Sequence, residues 1–127
     1  MILRVQHVQI TIPTGMETAA REFYCTFLGL TEITKPASLE GRGGFWMEAG
    51  GFPVHVGTEE GFDRTLTKAH IAWQVSGLEE WRAKLKARGI EPIEGIPIPG
   101  FDRFEFRDPF GNRVEFMEVL SSNDLTR

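Results

Sequence analysis

The sequence predicts an α+β fold made of two paired βαβββ modules. A strand, a helix and three further strands follow one another twice along the chain. The two halves keep the same spacing, since Gly29 and Gly89, and also Val54 and Val114, lie 60 positions apart. A repeat of this kind indicates duplication of one supersecondary unit. We expect each module to form a curled mixed sheet, and the two sheets together to form a cleft.

The first module, residues 1–60, is predicted to begin with a strand over residues 2–12, where apolar residues are interleaved with Gln and Thr. A helix over residues 16–28 should follow. Thr14 and Glu17 have the spacing of a capping box, in which two side chains satisfy free backbone N–H groups at a helix start. Three more strands are expected near residues 30–35, 43–49 and 52–57.

The second module, residues 68–120, repeats this order. A strand is predicted over residues 69–75, and Ser76 and Glu79 form a second capping box before a helix over residues 78–88. The apolar residues of that helix recur at helical spacing, which predicts one buried face. Strands near residues 90–94, 103–107 and 113–119 complete the module.

Length and composition predict a single compact domain, residues 1–127. The segment MILRVQHVQITIP has no apolar core of the signal-peptide type, and we expect a cytoplasmic protein. The net charge is −4 and no basic run occurs, which argues against nucleic acid as a partner. No apolar run is long enough to span a membrane. Cys25 is the single cysteine, so an internal disulfide and a cysteine-rich zinc site are excluded. Cys25 falls on the first predicted helix, where we expect an inert thiol.

One charged residue interrupts the last predicted strand. The segment RDPFGNRVEFME begins with a turn over residues 108–112, and Glu115 then stands between Val114 and Phe116. Side chains alternate between the two faces of a strand. Glu115 therefore lies either on a solvated face of the sheet or in a cavity as a ligand.

The three histidines of the chain fall on repeated positions together with Glu115. His7 and His70 are 63 positions apart, and His55 and Glu115 are 60 apart. If the modules pack about a pseudo-twofold axis, the equivalent inward residues converge. Imidazoles and a carboxylate in one cleft suit a divalent transition metal. Whether His55 is a ligand or a neighbour of the site stays open.

These segments resemble the vicinal oxygen chelate superfamily, which includes glyoxalase I, bleomycin-resistance and fosfomycin-resistance proteins and extradiol dioxygenases. The resemblance covers nearly the whole chain and is most specific in the closing DPFGNRVEF. It implies a cleft that holds a divalent metal ion (Zn, Ni, Mn or Fe(II)), which stabilises an enolate or oxyanion of the substrate. It implies ligands on the first, fourth, fifth and eighth strands, and catalytic roles for Glu115 and His55. The implied metal ligands are His7, His55, His70 and Glu115.

The resemblance favours a metal-dependent lyase, isomerase or thiol-transferase acting on a small oxygenated molecule. One alternative is a non-haem iron dioxygenase of the extradiol type, whose ligands His7, His70 and Glu115 would match. Against it, Glu105 stands where those enzymes usually carry a Tyr, and the chain has no fourth histidine. The other alternative is a metal-free protein that binds a small molecule or drug.

Two arginines are candidates for substrate binding. Arg64 and Arg103 fall in expected loops that flank the cleft, and either guanidinium could hold a carboxylate or phosphonate. Because curled sheets leave exposed edges that invite pairing, we also expect a homodimer. The metal ligands would then come either from one chain or from two.

Overall fold

The structure is a computed structural model that describes residues 1–121, so the last six residues of the predicted domain lie outside the described part. The chain divides into two compact units, of which the first is Met1–Phe62 and the second begins at Asp63. Each unit contains a four-stranded mixed sheet and helical segments, which confirms the predicted α+β fold. None of the helices over the described range has the length and apolarity to cross a lipid bilayer.

In the first unit the strands are arranged in the order β1-β4-β3-β2, with β1 and β4 parallel and the other pairs antiparallel. A short 3₁₀ turn, Ala37–Leu39, lies between β2 and β3. In chain order, the strands and helices are β1 (Val8–Ile12), α1 (Glu17–Arg21), a π-helical segment (Glu22–Phe27), β2 (Thr31–Ile33), β3 (Phe45–Ala49) and β4 (Phe52–Thr58).

The second unit has the same plan, with strand order β5-β8-β7-β6 and one parallel pair, β5 with β8. After a 3₁₀ turn (Arg64–Leu66), its elements are β5 (His70–Gln74), α2 (Leu78–Ala87), β6 (Ile93–Glu94), β7 (Phe101–Arg107) and β8 (Arg113–Val119).

The register of the two sheets confirms the predicted repeat. Gln9 pairs with His55 across β1 and β4, and Ala72 pairs with Glu115 across β5 and β8. Gln9 and Ala72 lie 63 positions apart, whereas His55 and Glu115 lie 60 apart, as the sequence offsets require. His55 and Glu115 therefore occupy equivalent places in their sheets.

Each sheet buries one face and leaves the other more polar. In the second unit Phe104 and Phe116 are buried beneath α2, where Trp81 packs edge-on against Phe116 at 5.3 Å between ring centroids. The alternate residues of β7 and β8 point to the opposite face. That face carries Arg103, Glu105, Arg107, Arg113 and Glu115.

The turns of the two hairpins that end in β4 and β8 differ in length, with two residues (50–51) in the first unit and five (108–112) in the second. Gly50 and Gly51 form a two-residue turn with φ of 58° and 78°, a conformation that glycine adopts without strain. In the second unit the turn is longer, and the buried Asp108 carboxylate accepts hydrogen bonds from the N–H groups of Phe110 and Asn112. The DPFGN segment is thus a turn held by its own aspartate.

The first strand is shorter than predicted. β1 begins at Val8 rather than at residue 2, because pairing ends at Val54 on β4. The preceding residue of β4 is Pro53, which has no N–H to donate, and the chain turns back at Gly50.

Both predicted capping boxes are wrong. The residues before α1 and α2 make no side-chain capping hydrogen bond. Instead, the Glu118 carboxylate on β8 accepts from the N–H groups of Gly77 (2.5 Å) and Leu78 (3.3 Å). In the first unit, Glu60 accepts from the N–H of Thr14 at 2.7 Å. In each unit a carboxylate distant in sequence satisfies the backbone near the helix start.

The first helix also differs from the single α-helix predicted over residues 16–28. After five α-helical residues the chain widens into the π-helical segment, in which the N–H of Leu28 donates to the carbonyl of Phe23 at 2.9 Å. This bond spans five residues rather than four, which defines a π turn.

Candidate metal centre

Three side chains with metal-ligating atoms meet on the polar face of the second sheet. Glu105 on β7 stands directly opposite Glu115 on β8, and His70 begins the neighbouring strand β5. One ligand atom from each of these residues lies within 4.8 Å of the other two. Sheet register alone therefore assembles two carboxylates and one imidazole.

The centre is partly buried. The Glu115 side chain is only 7% exposed, and the His70 side chain is 28% exposed. The Glu105 side chain is 15% exposed. A carboxylate buried to this degree needs a cation or several donors, because removal from water disfavours its charge. The solvated-face interpretation of Glu115 therefore does not hold.

The imidazole of His70 lies between two acceptors. Its Nδ1 is 2.8 Å from the carbonyl oxygen of Lys68, and its Nε2 is 2.9 Å from Oε1 of Glu115. A neutral imidazole carries one N–H and can donate to only one of them. The second contact requires either a further proton, on the ring or on the carboxyl group, or a cation bound by Nε2 and the carboxylate. In metal centres, the ligating histidine commonly donates its other N–H to a backbone carbonyl, as Nδ1 is placed to do here.

Two arginines pair with the carboxylates of the centre. Nη1 of Arg103 lies 3.1 Å from Oε2 of Glu115, and Nη2 of Arg113 lies 2.6 Å from Oε1 of Glu105. The hydrogen bond from Arg113 lowers the pKa of Glu105, despite an opposing effect of burial. The same bond raises the pKa of Arg113. Glu105 is therefore ionised at neutral pH.

The arginines predicted to bind substrate do not lie in open loops. Arg103 is part of β7, and besides Glu115 it donates to the carbonyl oxygen of Ile96 through Nε (3.2 Å) and Nη2 (2.7 Å). Arg64 opens the 3₁₀ turn of the second unit and is only 5% exposed. The expected loop placement was wrong for Arg103, and substrate binding by either residue stays a prediction.

The other two histidines lie together in the first unit. His7, just before β1, stacks on His55 with ring centroids 4.0 Å apart, and Trp46 stacks on His55 at 3.8 Å. Burial, and secondarily the charge of His7, lowers the pKa of His55, so its ring is neutral at neutral pH. A neutral ring retains the lone pair that a metal ligand or a general base needs. The metal and catalytic roles of His7 and His55 stay predictions.

Sequence reasoning missed the ligating potential of Glu105 and the role of Arg113. The feature of the sequence that pointed to Glu105 was the longer turn before β8. The 60-residue offset would place Phe106 opposite Glu115, but with the longer turn Glu105 lies there. Trp46 holds the corresponding place opposite His55 in the first unit. Equivalent places are thus filled by an aromatic ring in one sheet and a carboxylate in the other.

Comparison with known proteins identifies the family of this chain. Residues 4–116 match the profile of the Glyoxalase/Bleomycin resistance protein/Dioxygenase superfamily. A crystal structure from Bacillus anthracis, assigned to the glyoxalase family, is 41% identical, with a TM-score of 0.85 and coverage of 94% of this chain and 98% of that one. No match was found among proteins of curated function.

Two more distant structures share the fold. The fosfomycin resistance protein FosX from Listeria monocytogenes, complexed with Mn(II) and sulfate, is 20% identical, with a TM-score of 0.73 and coverage of 100% and 98% of the two chains. A glyoxalase/dioxygenase from Nostoc punctiforme is 20% identical, with a TM-score of 0.75 and coverage of 93% and 92%. The chain therefore belongs to the glyoxalase/bleomycin resistance protein/dioxygenase superfamily, the vicinal oxygen chelate proteins.

Proposed function

We propose that this protein is a divalent-metal-dependent enzyme that acts on a small oxygenated substrate, as a lyase, isomerase or thiol-transferase. The observation that carries the proposal is the pair of contacts made by His70. Its Nδ1 faces the Lys68 carbonyl, and its Nε2 faces the buried carboxylate of Glu115. A metal ion shared by Nε2 and Glu115 satisfies both contacts with a neutral ring.

The donor set suits a borderline or hard divalent ion. One imidazole nitrogen and carboxylate oxygens are ligands for Zn, Ni, Mn or Fe(II), and the described residues of the centre include no thiolate. FosX, which shares the fold, was crystallised with Mn(II), which makes Mn(II) a first choice for loading experiments. We extend the ligand set to His7 and His55 on the basis of the sequence repeat.

The bound ion would supply Lewis acidity to a substrate oxygen and so stabilise an enolate or oxyanion. The residues of the chain orient the ligating groups and set the charge of the site. The Lys68 carbonyl orients His70, and Arg103 holds Oε2 of Glu115, so that Oε1 faces the imidazole. Glu105, kept ionised by Arg113, adds a fixed negative charge beside these atoms. We assign proton transfer to Glu115 or His55.

One observation favours a second candidate, a metal-free binding protein. Arg103 already pairs with Glu115 at 3.1 Å, so the buried carboxylate has a cationic partner without a metal. In that case His70 would be protonated and would donate to Glu115. If this candidate is correct, the protein stays folded and still binds its small-molecule ligand after all metal has been removed.

Elemental analysis of protein purified without a His tag tests the proposal. We expect about one divalent ion per chain in the native protein, and its loss in His70→Ala and Glu115→Gln. Glu91→Gln, on an exposed residue remote in sequence, is the matched control and should keep full occupancy. Wild-type occupancy in both folded site variants, or no metal in any form, would favour the binding protein. Iron together with oxygen uptake on catechols would indicate the dioxygenase.

We also propose a homodimer. The first residues of the chain precede β1 and leave apolar side chains exposed, with Ile2 at 96% and Leu3 at 83%. Exposed apolar area of this kind is removed from water when a second chain covers it. Light scattering at micromolar concentration should give twice the chain mass, and Ile2→Lys with Leu3→Lys should shift that mass toward the monomer. A monomer mass for the wild type would contradict this proposal.

A further inference from the structure

A small cavity in the first unit is lined by two cationic side chains. Its volume is about 270 Å³, and Lys35 and Arg42 line it together with the polar side chains of Gln9 and Thr58. None of the described residues that line this cavity is acidic. Two positive charges without a lining carboxylate favour an anionic ligand.

The loop that carries the two cations is held in place. The ammonium group of Lys35 donates to the carbonyl oxygen of Gly43 at 2.6 Å, which leaves two of its three N–H groups for a ligand. Gly44, with φ of 78°, lies so close to β4 that a Cβ there would collide with the carbonyl oxygen of Val56. A loop fixed in this way loses little freedom when a ligand binds.

A second, more apolar cavity of about 390 Å³ adjoins the first. The two share three lining residues, Leu39, Trp46 and His55. The second cavity adds the apolar side chains of Ile33 and Pro53 and the polar side chains of Gln6 and His7. Together the cavities offer one compartment with two cationic side chains and one that is more apolar.

We propose that these adjoining cavities bind a small organic carboxylate. Its charged group lies between Lys35 and Arg42, and its apolar part lies against Ile33, Leu39 and Trp46. As a statement of substrate class, this inference rests on the proposed function. As a binding site it requires no metal, and the two can therefore be tested apart.

The test uses the full chain after chelator treatment, with phenylacetate as the probe and its uncharged analogue phenylacetamide as the comparison. The chain has three tryptophans, so three indole N–H signals report on binding in ¹⁵N NMR spectra, and Trp46→Phe identifies one of them. We expect phenylacetate to shift the Trp46 signal and to bind at least ten times more tightly than phenylacetamide. Arg42→Met and Lys35→Met should each weaken phenylacetate about tenfold.

Lys86→Met, on the exposed surface of α2, is the matched control and should leave the binding of phenylacetate unchanged. The inference is overturned if phenylacetate does not shift the Trp46 signal, if the amide binds equally well, or if Arg42→Met binds as the wild type does. Lys35→Met also removes the hydrogen bond to the Gly43 carbonyl and could impair folding. In that case Arg42→Met alone tests the inference. Metal content of Arg42→Met should remain at the wild-type level, so a failure here is distinct from failure of the metal proposal.

Discussion

Arg103 and Glu115 form an ion pair across β7 and β8, with Nη1 and Oε2 3.1 Å apart, and the other oxygen of that carboxylate faces His70. Glu115 thus lies between a permanent cation and an imidazole. The pair explains how the Glu115 side chain can be only 7% exposed within a strand. It also makes Arg103 the residue that separates the metal-dependent and the metal-free interpretations.

Arg103→Met should destabilise the chelator-treated protein by about 2 kcal/mol, because it leaves a buried carboxylate without its guanidinium partner. In the metal-dependent enzyme, Mn(II) should restore much of this loss and should bind the variant at least as tightly as the wild type. Chemical unfolding with and without Mn(II) measures both effects. If Mn(II) does not stabilise the variant at all, Glu115 is not a ligand.

The ion pair of Glu105 with Arg113 should make stability depend on pH at the acidic end. Because the hydrogen bond from Arg113 lowers the pKa of Glu105 in the folded chain, the unfolded chain takes up this proton first as the pH falls. The stabilisation is therefore complete above the unfolded value of 4.5 and is lost as the pH falls through the lower folded value.

Unfolding of the chelator-treated protein by urea tests this pair. Glu105→Gln should cost up to about 1 kcal/mol at pH 7 and progressively less toward pH 3. Glu91→Gln serves as the control on an exposed site. An equal cost of Glu105→Gln at pH 7 and pH 3 would show that the loss comes from packing rather than from the charge.

Most of the fold could be predicted from the sequence, because the spacing of apolar residues and the presence of residues typical of turns are local signals. The strand over residues 113–119 was predicted with the bounds that the structure gives, since a turn fixed by Asp108 and Gly111 precedes an alternating pattern. The equivalence of His55 and Glu115 was also correct, because parallel pairing with β1 and β5 keeps the same register in both units.

The features that could not be predicted depend on contacts between distant residues. Glu105 became part of the candidate centre because the longer turn before β8 shifts the pairing of β7 with β8 by one position, and the sequence of the turn does not by itself give the size of that shift. The helix caps failed for the same reason. Ser76 and Glu79 match a capping box, but Glu118, about 40 residues later, takes the N–H groups of Gly77 and Leu78.

Because Glu118 rather than Ser76 accepts these hydrogen bonds, we expect Glu118 to stabilise the start of α2. Glu118→Ala should cost about 1 kcal/mol, because the backbone donors of Gly77 and Leu78 lose their charged acceptor. Ser76→Ala should cost only a few tenths of a kcal/mol, since the Ser76 side chain caps nothing. Urea unfolding of both variants compares them directly. A larger loss in Ser76→Ala would restore the local capping box.

The thiol of Cys25 should react slowly with alkylating reagents. Burial, and secondarily the charge of Glu32, raises the pKa of Cys25 above 9.0, although Arg21 opposes this effect. The thiolate is the reactive form, so the rate with iodoacetamide at pH 8 should fall well below that of an unstructured thiol peptide and should rise as the pH approaches 10.

In Glu32→Gln the reaction should be faster, because the variant removes a nearby negative charge and releases Arg21, whose Nε lies 3.0 Å from Glu32. Glu40→Gln, on an exposed residue, is the control for general effects of charge. If Cys25 reacts at pH 7 as fast as a free thiol, the thiol is activated rather than inert, and the electrostatic account of its surroundings is wrong.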